Sequence, residues 1–158
     1  MSVSSVISIR DQGALDLVRS LLKQGISVRI RVSGSSMRPL LSGGEIIEVA
    51  PPAARSPKIG EILLFYDQQG NPLVHRLIRR RCCNKVLYLQ TKGDACAGCD
   101  GFIPAGQVLG RVQRIIIKHN TIDLQHPVMH FRSFFIALRS LILYYYLQFC
   151  NRLSSASD

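Results

Sequence analysis

The run "DQGALDLVRSLLKQG" (11–25) sets Leu15, Val18, Leu21 and Leu22 on one helical face. Gly25, just after Lys23, supplies the stop signal such a helix needs. The pattern then changes period: "ISVRIRV" (26–32) alternates apolar and basic residues, as a half-buried strand does. Further β-rich runs follow: "EIIEVA", "EILLFY", "PLVHRLI", "VLYLQ" and "VLGRVQRIIIK". Turn-formers such as "SGG", "PPAARSPKIG", "DQQGNP" and "DACAGCDG" separate them. Short strands at this spacing predict a mainly β fold: a compact, mostly antiparallel domain over 26–127, entered through a helical segment at 1–25.

From Phe131 the period returns to that of a helix, with apolar residues at 131, 134, 135, 138, 141, 142, 145 and 149. Its other side carries Arg132, Ser133, Arg139, Ser140 and Gln148, but also Ile136, Leu143 and Tyr144. Residues 128–158 therefore read as an amphipathic-to-apolar helix with a polar tail. Phe134 to Cys150 makes about 25 Å of helix, short of the ~30 Å bilayer core. Arg139 at the bilayer centre would cost roughly 2.5–3.5 kcal/mol. An interfacial anchor, with Tyr144, Tyr145 and Tyr146 at headgroup level, or a partner-binding helix fits better than a span.

The chain has 158 residues, 47% apolar and 19% charged, enough for one sizeable core. Its net charge of +10 suits a polyanion or an anionic membrane surface. With no lysine/arginine block or aromatic ladder, nucleic acid is not the expected partner. No basic-then-apolar leader opens the chain, so we expect no cleavable signal peptide and a cytoplasmic or membrane-associated protein. Its cysteines, Cys82, Cys83, Cys96, Cys99 and Cys150, are then free thiols of a reducing compartment. "CAGC" with the vicinal pair offers four thiols, but adjacent side chains rarely converge on one tetrahedral ion, and no metal is expected.

Candidate chemistry begins at "GSSMRPLLSGGE" (34–45). A serine there ends a strand in a glycine-preceded loop, with backbone amides available to a developing oxyanion. A serine hydroxyl needs a neighbouring base to act as a nucleophile. The downstream order is "GEILLFY", "LVHRLI", "TKGDACAGCD" and "LGRV". These boxes, over roughly residues 28 to 114, resemble the signal peptidase I superfamily, which includes the self-cleaving SOS-repressor-type peptidases.

The resemblance implies that superfamily's β-ribbon peptidase fold, with the short N-terminal helix and the C-terminal apolar helix as additions. It assigns Ser36, immediately before Met37, as the nucleophile. Where many relatives place a lysine, "PLVHRLI" offers His75, as in the histidine-type archaeal and endoplasmic-reticulum signal peptidases. In those enzymes an aspartate six residues after "TKGD" completes the triad, which favours Asp100. Asp94 is the alternative third member, otherwise a loop-former contacting the catalytic turn. Lys92 matches a structural position of the family rather than a general base.

The oxyanion would be bound by amides around Ser35 and Ser36. The substrate is expected to lie extended beside the strand edge 28–33, meeting Val28, Ile30, Val32 and Met37. The resemblance also implies small side chains just before the cut and no metal or organic cofactor. Three features depart from the family pattern. Gly34 replaces a serine that donates to the oxyanion, no membrane helix precedes the nucleophile, and the apolar segment follows the domain. The expected activity is therefore a serine endopeptidase acting on a peptide or precursor protein with a signal- or leader-like segment. Two alternatives are a self-cleaving regulator lacking its DNA-binding domain and an inactive membrane-associated scaffold. Too few residues precede the strand at 26 to hold a helix-turn-helix.

Overall fold

The computed structural model describes residues 2–8, 12–52, 56–118 and 120–154. The polar tail from 155, and the side chains of Gln148, Phe149 and Cys150, lie outside the described residues. The elements run β1 (Ser2–Ser8), α1 (Gln12–Lys23), β2 (Ser27–Arg31), β3 (Ile46–Ala50), β4 (Ile62–Tyr66) and β5 (Pro72–Cys83). After these come β6 (Val86–Lys92), β7 (Phe102–Pro104), β8 (Val108–Ile117), β9 (Asn120–Asp123) and α2 (Pro127–Ser154). The strands form one mixed sheet in the order β1-β2-β3-β8-β4-β5-β6-β7. Strand β8 pairs with β3 along one edge; on the other, its first half pairs with β4 and its second half with β9.

Two features differ from the sequence pattern. Residues 1–25 are not wholly helical, because 2–8 form a strand ahead of α1. That strand joins β2 in parallel, whereas every other pairing among the described residues is antiparallel. Strand β1 is half serine, and only the distant edge of β2 completes its hydrogen bonding, so local periodicity carried little signal for it.

Helix α1 buries the face read from the sequence, with Leu15, Val18 and Leu22 enclosed and Leu21 partly so. Its end is a Schellman arrangement: Ile26 N–H donates to Leu21 O at 3.0 Å and Gly25 N–H to Leu22 O at 3.1 Å. Gly25 has the positive φ of +81° that this cap requires.

The core has two parts, and β4 belongs to both. Ile62 and Leu64 join Val18, Leu22, Val28, Ile30, Met37 and Ile47 on one face. Leu63 and Phe65 join Leu77, Leu89, Ile103 and Val108 on the other. A strand covered on both faces has no polar side to show, which is why "ILLFY" lacks alternation.

Helix α2 docks through Ala137 and Ser140, both buried, while Val128, Phe131, Phe135, Leu138 and Ile142 stay exposed. It is longer than its expected span but, among the described residues, no helix is long and apolar enough to cross a membrane. Where α2 crosses the turn before β4, Gly60 has φ +94°, and a Cβ there would meet the backbone of Ser133 and Phe134 at 2.8 Å. Gly60→Ala should therefore strain the turn and lift α2 together. Urea unfolding should show a loss of about 1–3 kcal/mol, the range for a non-glycine residue held at such a backbone conformation.

Candidate active site

Ser36 follows β2 after the chain has left the sheet. Val32 makes its main-chain bonds toward β3, its N–H to Glu45 O at 3.0 Å and its carbonyl from Gly44 N–H at 2.7 Å. Beyond it the chain turns over Met37 and Leu41, each 2% exposed, which anchor the segment in the core. The following "SGGE" turn is closed by the Glu45 carboxylate, which accepts from Ser42 N–H at 3.0 Å and Gly43 N–H at 2.8 Å. Burial works to raise the Glu45 pKa. The backbone N–H groups of Ser42, Glu45 and Gly43, with the Arg38 charge, outweigh it and hold the carboxyl below its ordinary value.

A second segment fixes Ser36 from behind. Ala95 N–H donates to Ser36 O at 2.8 Å. Gly93 lies so close that an added Cβ would meet Ser36 O at 2.7 Å and Ser36 Cβ at 3.0 Å. The glycine of "TKGD" is there because two backbones touch.

His75 and Arg76 are consecutive on β5, so their side chains take opposite faces of the sheet. His75 is 6% exposed, with the ring of Phe65 edge-on at 6.3 Å. Its Nε2 lies 2.9 Å from Ser36 Oγ and its Nδ1 lies 2.7 Å from Asp100 Oδ2. An ionised carboxylate can only accept, so in that state the imidazole proton sits on Nδ1 and Nε2 is left to accept from the serine hydroxyl. Thr91 Oγ1 donates to the same Asp100 oxygen at 2.7 Å, and Asp100 N–H donates to Thr91 O at 2.9 Å. This arrangement has the parts for deprotonating a serine as it attacks a carbonyl.

The motif order singled out Ser36, His75 and Asp100, and the structure brings them into one hydrogen-bonded line. Thr91 has no assigned role in the motif reading; its one signal is a hydroxyl opening "TKGD" near the end of β6. Ser35 is exposed, and its carbonyl accepts from Arg38 N–H at 3.2 Å within the turn. Ile30, Val32 and Met37 line a cleft of about 200 Å³ together with Gly34, Ser36 and Val74. Val28 does not line it: it is fully enclosed against α1 and the core. The edge proposed for an extended peptide, 28–33, is also taken as far as Arg31 by β1.

Asp94 is neither a third member nor a plain loop-former. Arg76 Nε and Nη2 donate to its two carboxylate oxygens at 2.8 and 2.6 Å, while Arg76 Nη1 donates to Gly60 O at 2.9 Å. Arg76 is completely buried. The expectation that Asp94 serves only the turn failed because the charge of Arg76 lies within the fold, where it needs an anion. Lys92 is buried too, its Nζ 3.5 Å from both Gly93 O and Ser140 Oγ, so it links the loop to α2.

Of the thiols, Cys82 and Cys83 are exposed at the end of β5. Burial pushes the Cys99 thiol up from its ordinary value; the Lys92 charge opposes this and the Asp100 charge adds to it. A protonated thiol is a poor nucleophile. Among the described residues no three His, Cys, Asp or Glu side chains gather as a metal-ligand set.

Asp94→Asn should destabilise the fold by about 3–5 kcal/mol, because it leaves a buried guanidinium uncompensated. The joint change Arg76→Met with Asp94→Leu should recover much of that loss, and denaturant unfolding of the single and double variants measures both. No protein-family model matches the chain, and no curated protein matches it.

Proposed function

We propose that the chain is a serine endopeptidase of the signal-peptidase-like β-ribbon fold, acting on a peptide or precursor protein. The observation that carries this reading is the placement of His75 between Ser36 Oγ at 2.9 Å and Asp100 Oδ2 at 2.7 Å. Ser36 Oγ attacks the scissile carbonyl carbon and its proton passes to His75 Nε2. The tetrahedral intermediate collapses with loss of the amine, which takes that proton, leaving an acyl-enzyme. Water then attacks the ester carbon, giving its proton to His75, which passes it to Ser36 Oγ as the ester C–O bond breaks and the acid leaves. Asp100, held by Thr91, keeps the imidazole in the useful tautomer and stabilises the imidazolium. The amides around Ser35 and Ser36 bind the oxyanion.

A non-catalytic scaffold would have no need for a hydroxyl, an imidazole and a carboxylate in line beside an open cleft. A self-cleaving regulator would use the same groups, and intact-mass spectrometry separates the two activities. Ser36→Ala should abolish labelling by a fluorophosphonate, while Ser35→Ala keeps most of it. Asp100→Asn should slow acylation by an activated ester by about 10⁴-fold, the loss seen when a triad carboxylate loses its charge. Circular dichroism should show all three variants folded.

We further propose that α2 rests on an anionic membrane surface. Support comes from its exposed apolar stripe (Val128, Phe131, Phe135, Leu138, Ile142) beside Arg132 and Arg139. The protein should sediment with phosphatidylserine-containing vesicles and not with neutral ones. Phe131→Ser with Phe135→Ser should weaken that binding at least ~10-fold, since each aromatic buried is worth about 1.5–3 kcal/mol. Fluorophosphonate labelling of the double variant should be unchanged.

A further inference from the structure

Strand β2 has two edges, and neither is open along its length. Strand β3 holds one, and β1 holds the other with Val6 opposite Arg29, Ile7 opposite Ile30 and Ser8 opposite Arg31. Strand β1 runs in the same direction as β2, toward the turn that carries Ser36. Past Ser8 the edge at 32–34 opens into the cleft. The far wall of that cleft is Pro72–Val74 of β5, whose partner β6 begins pairing only at Arg76.

An extended peptide entering the cleft thus runs between two chain segments, 33–34 and 72–74, Val32 being already bonded to Gly44 and Glu45. Strand β1 lies in line with that path, upstream of it. Continued in register, the residue opposite Ser36 would be Gly13, each lying five positions beyond the Ser8–Arg31 pair. Gly13 is already inside α1. The helix therefore takes up the chain before the register position opposite Ser36. Strand β1 has the direction and edge of a bound peptide.

Among its described side chains the hold is limited. Ile7 packs partly buried against the core, whereas Val6 is 40% exposed, and the pairing is irregular between Ser2 and Val6. A strand held mainly by main-chain bonds can be exchanged for another that makes the same bonds.

We propose that β1 is a resident strand in the substrate's place. Long extended peptides bind by displacing it from β2, running parallel to β2 with an apolar side chain in the position of Ile7. This rests on the peptidase reading above. The intact chain then binds such peptides more weakly by the fraction of molecules in which β1 is released.

Three probes test this on the full chain: a small fluorophosphonate, a tripeptidyl diphenyl phosphonate and a heptapeptidyl one with isoleucine at the residue that falls opposite Ile30. With the peptidyl probes the Ser36 Oγ–P bond forms, phenoxide leaves and the serine proton passes to His75. Only the longest probe reaches the edge held by β1. Ile7→Pro, which removes both the packing and the N–H, should speed heptapeptidyl labelling by about tenfold if a tenth of the molecules are open. The rates with the two short probes should stay as in the wild type.

In wild-type protein, hydrogen exchange after heptapeptidyl labelling should show residues 2–8 losing protection while 27–31 keep theirs. The proposal is overturned if 2–8 remain protected in the labelled protein. It is also overturned if Ile7→Pro, shown folded by circular dichroism, leaves all three rates unchanged or lowers them together. Should Ile7→Pro fail to fold, Ile7→Ser keeps the N–H and should give a smaller gain of the same sign; no gain overturns the proposal. If no probe labels Ser36, the peptidase reading itself fails and strand exchange falls with it.

Discussion

The site hangs on one buried cation. The Arg76 guanidinium is sealed from water and has Asp94 as its counter-ion, with two donors on the carboxylate and a third on Gly60 O. An unpaired charge at this depth would cost several kcal/mol, so the fold needs the turn of "TKGD" against β5. That requirement brings Gly93 into contact with Ser36 and sets Thr91 beneath Asp100. On its other side the same guanidinium holds Gly60, the residue on which α2 rests. Because His75 precedes Arg76 on the strand, the pleat turns the imidazole to the opposite face, where the serine waits. The ion pair contributes little net stability over an apolar substitute; its effect is on where these segments sit.

Much of this was legible from local pattern. The leucines of α1, the alternation of "ISVRIRV" and the period of α2 each report burial by immediate neighbours along one element. Ser36, His75 and Asp100 stood out through the order of their motifs, and the structure joins them. What pattern could not carry was everything that depends on a distant partner. Arg76 in "PLVHRLI" reads as a solvated charge until Asp94 is brought beside it. Strand β1 has no apolar face of its own to reveal. Val28, chosen for the cleft by alternation with Ile30, is covered by α1 instead.

Strand β4 is buried on both faces beside the site. Its residues alternate between two cores, so moving β4 disturbs both at once. It pairs with β5 from Ile62↔Arg76 to Tyr66↔Pro72, the stretch that includes His75. Phe65 meets the His75 ring edge-on from the same strand. Under the proposed mechanism the base must stay within about 0.5 Å of its productive geometry, and a strand packed on both faces favours that. Strand β1, by contrast, lies at the outer edge of the sheet and pairs with β2.

Net charge takes a different meaning once the pairs are placed. Glu48 is 4% exposed and takes hydrogen bonds from Arg29, Arg114 and Gln113; Glu61 is 6% exposed with Arg111 at 3.5 Å. Asp94 is enclosed with Arg76, and Asp100 serves His75. Of ten acidic residues, these four face inward or into the site, three of them matched by arginines, so the net charge of +10 is carried by the other side chains. A second copy of the chain would bring the same excess to the apolar stripe of α2 and be repelled. An anionic lipid surface supplies both the apolar phase and the countercharge, which makes it the better match for that helix.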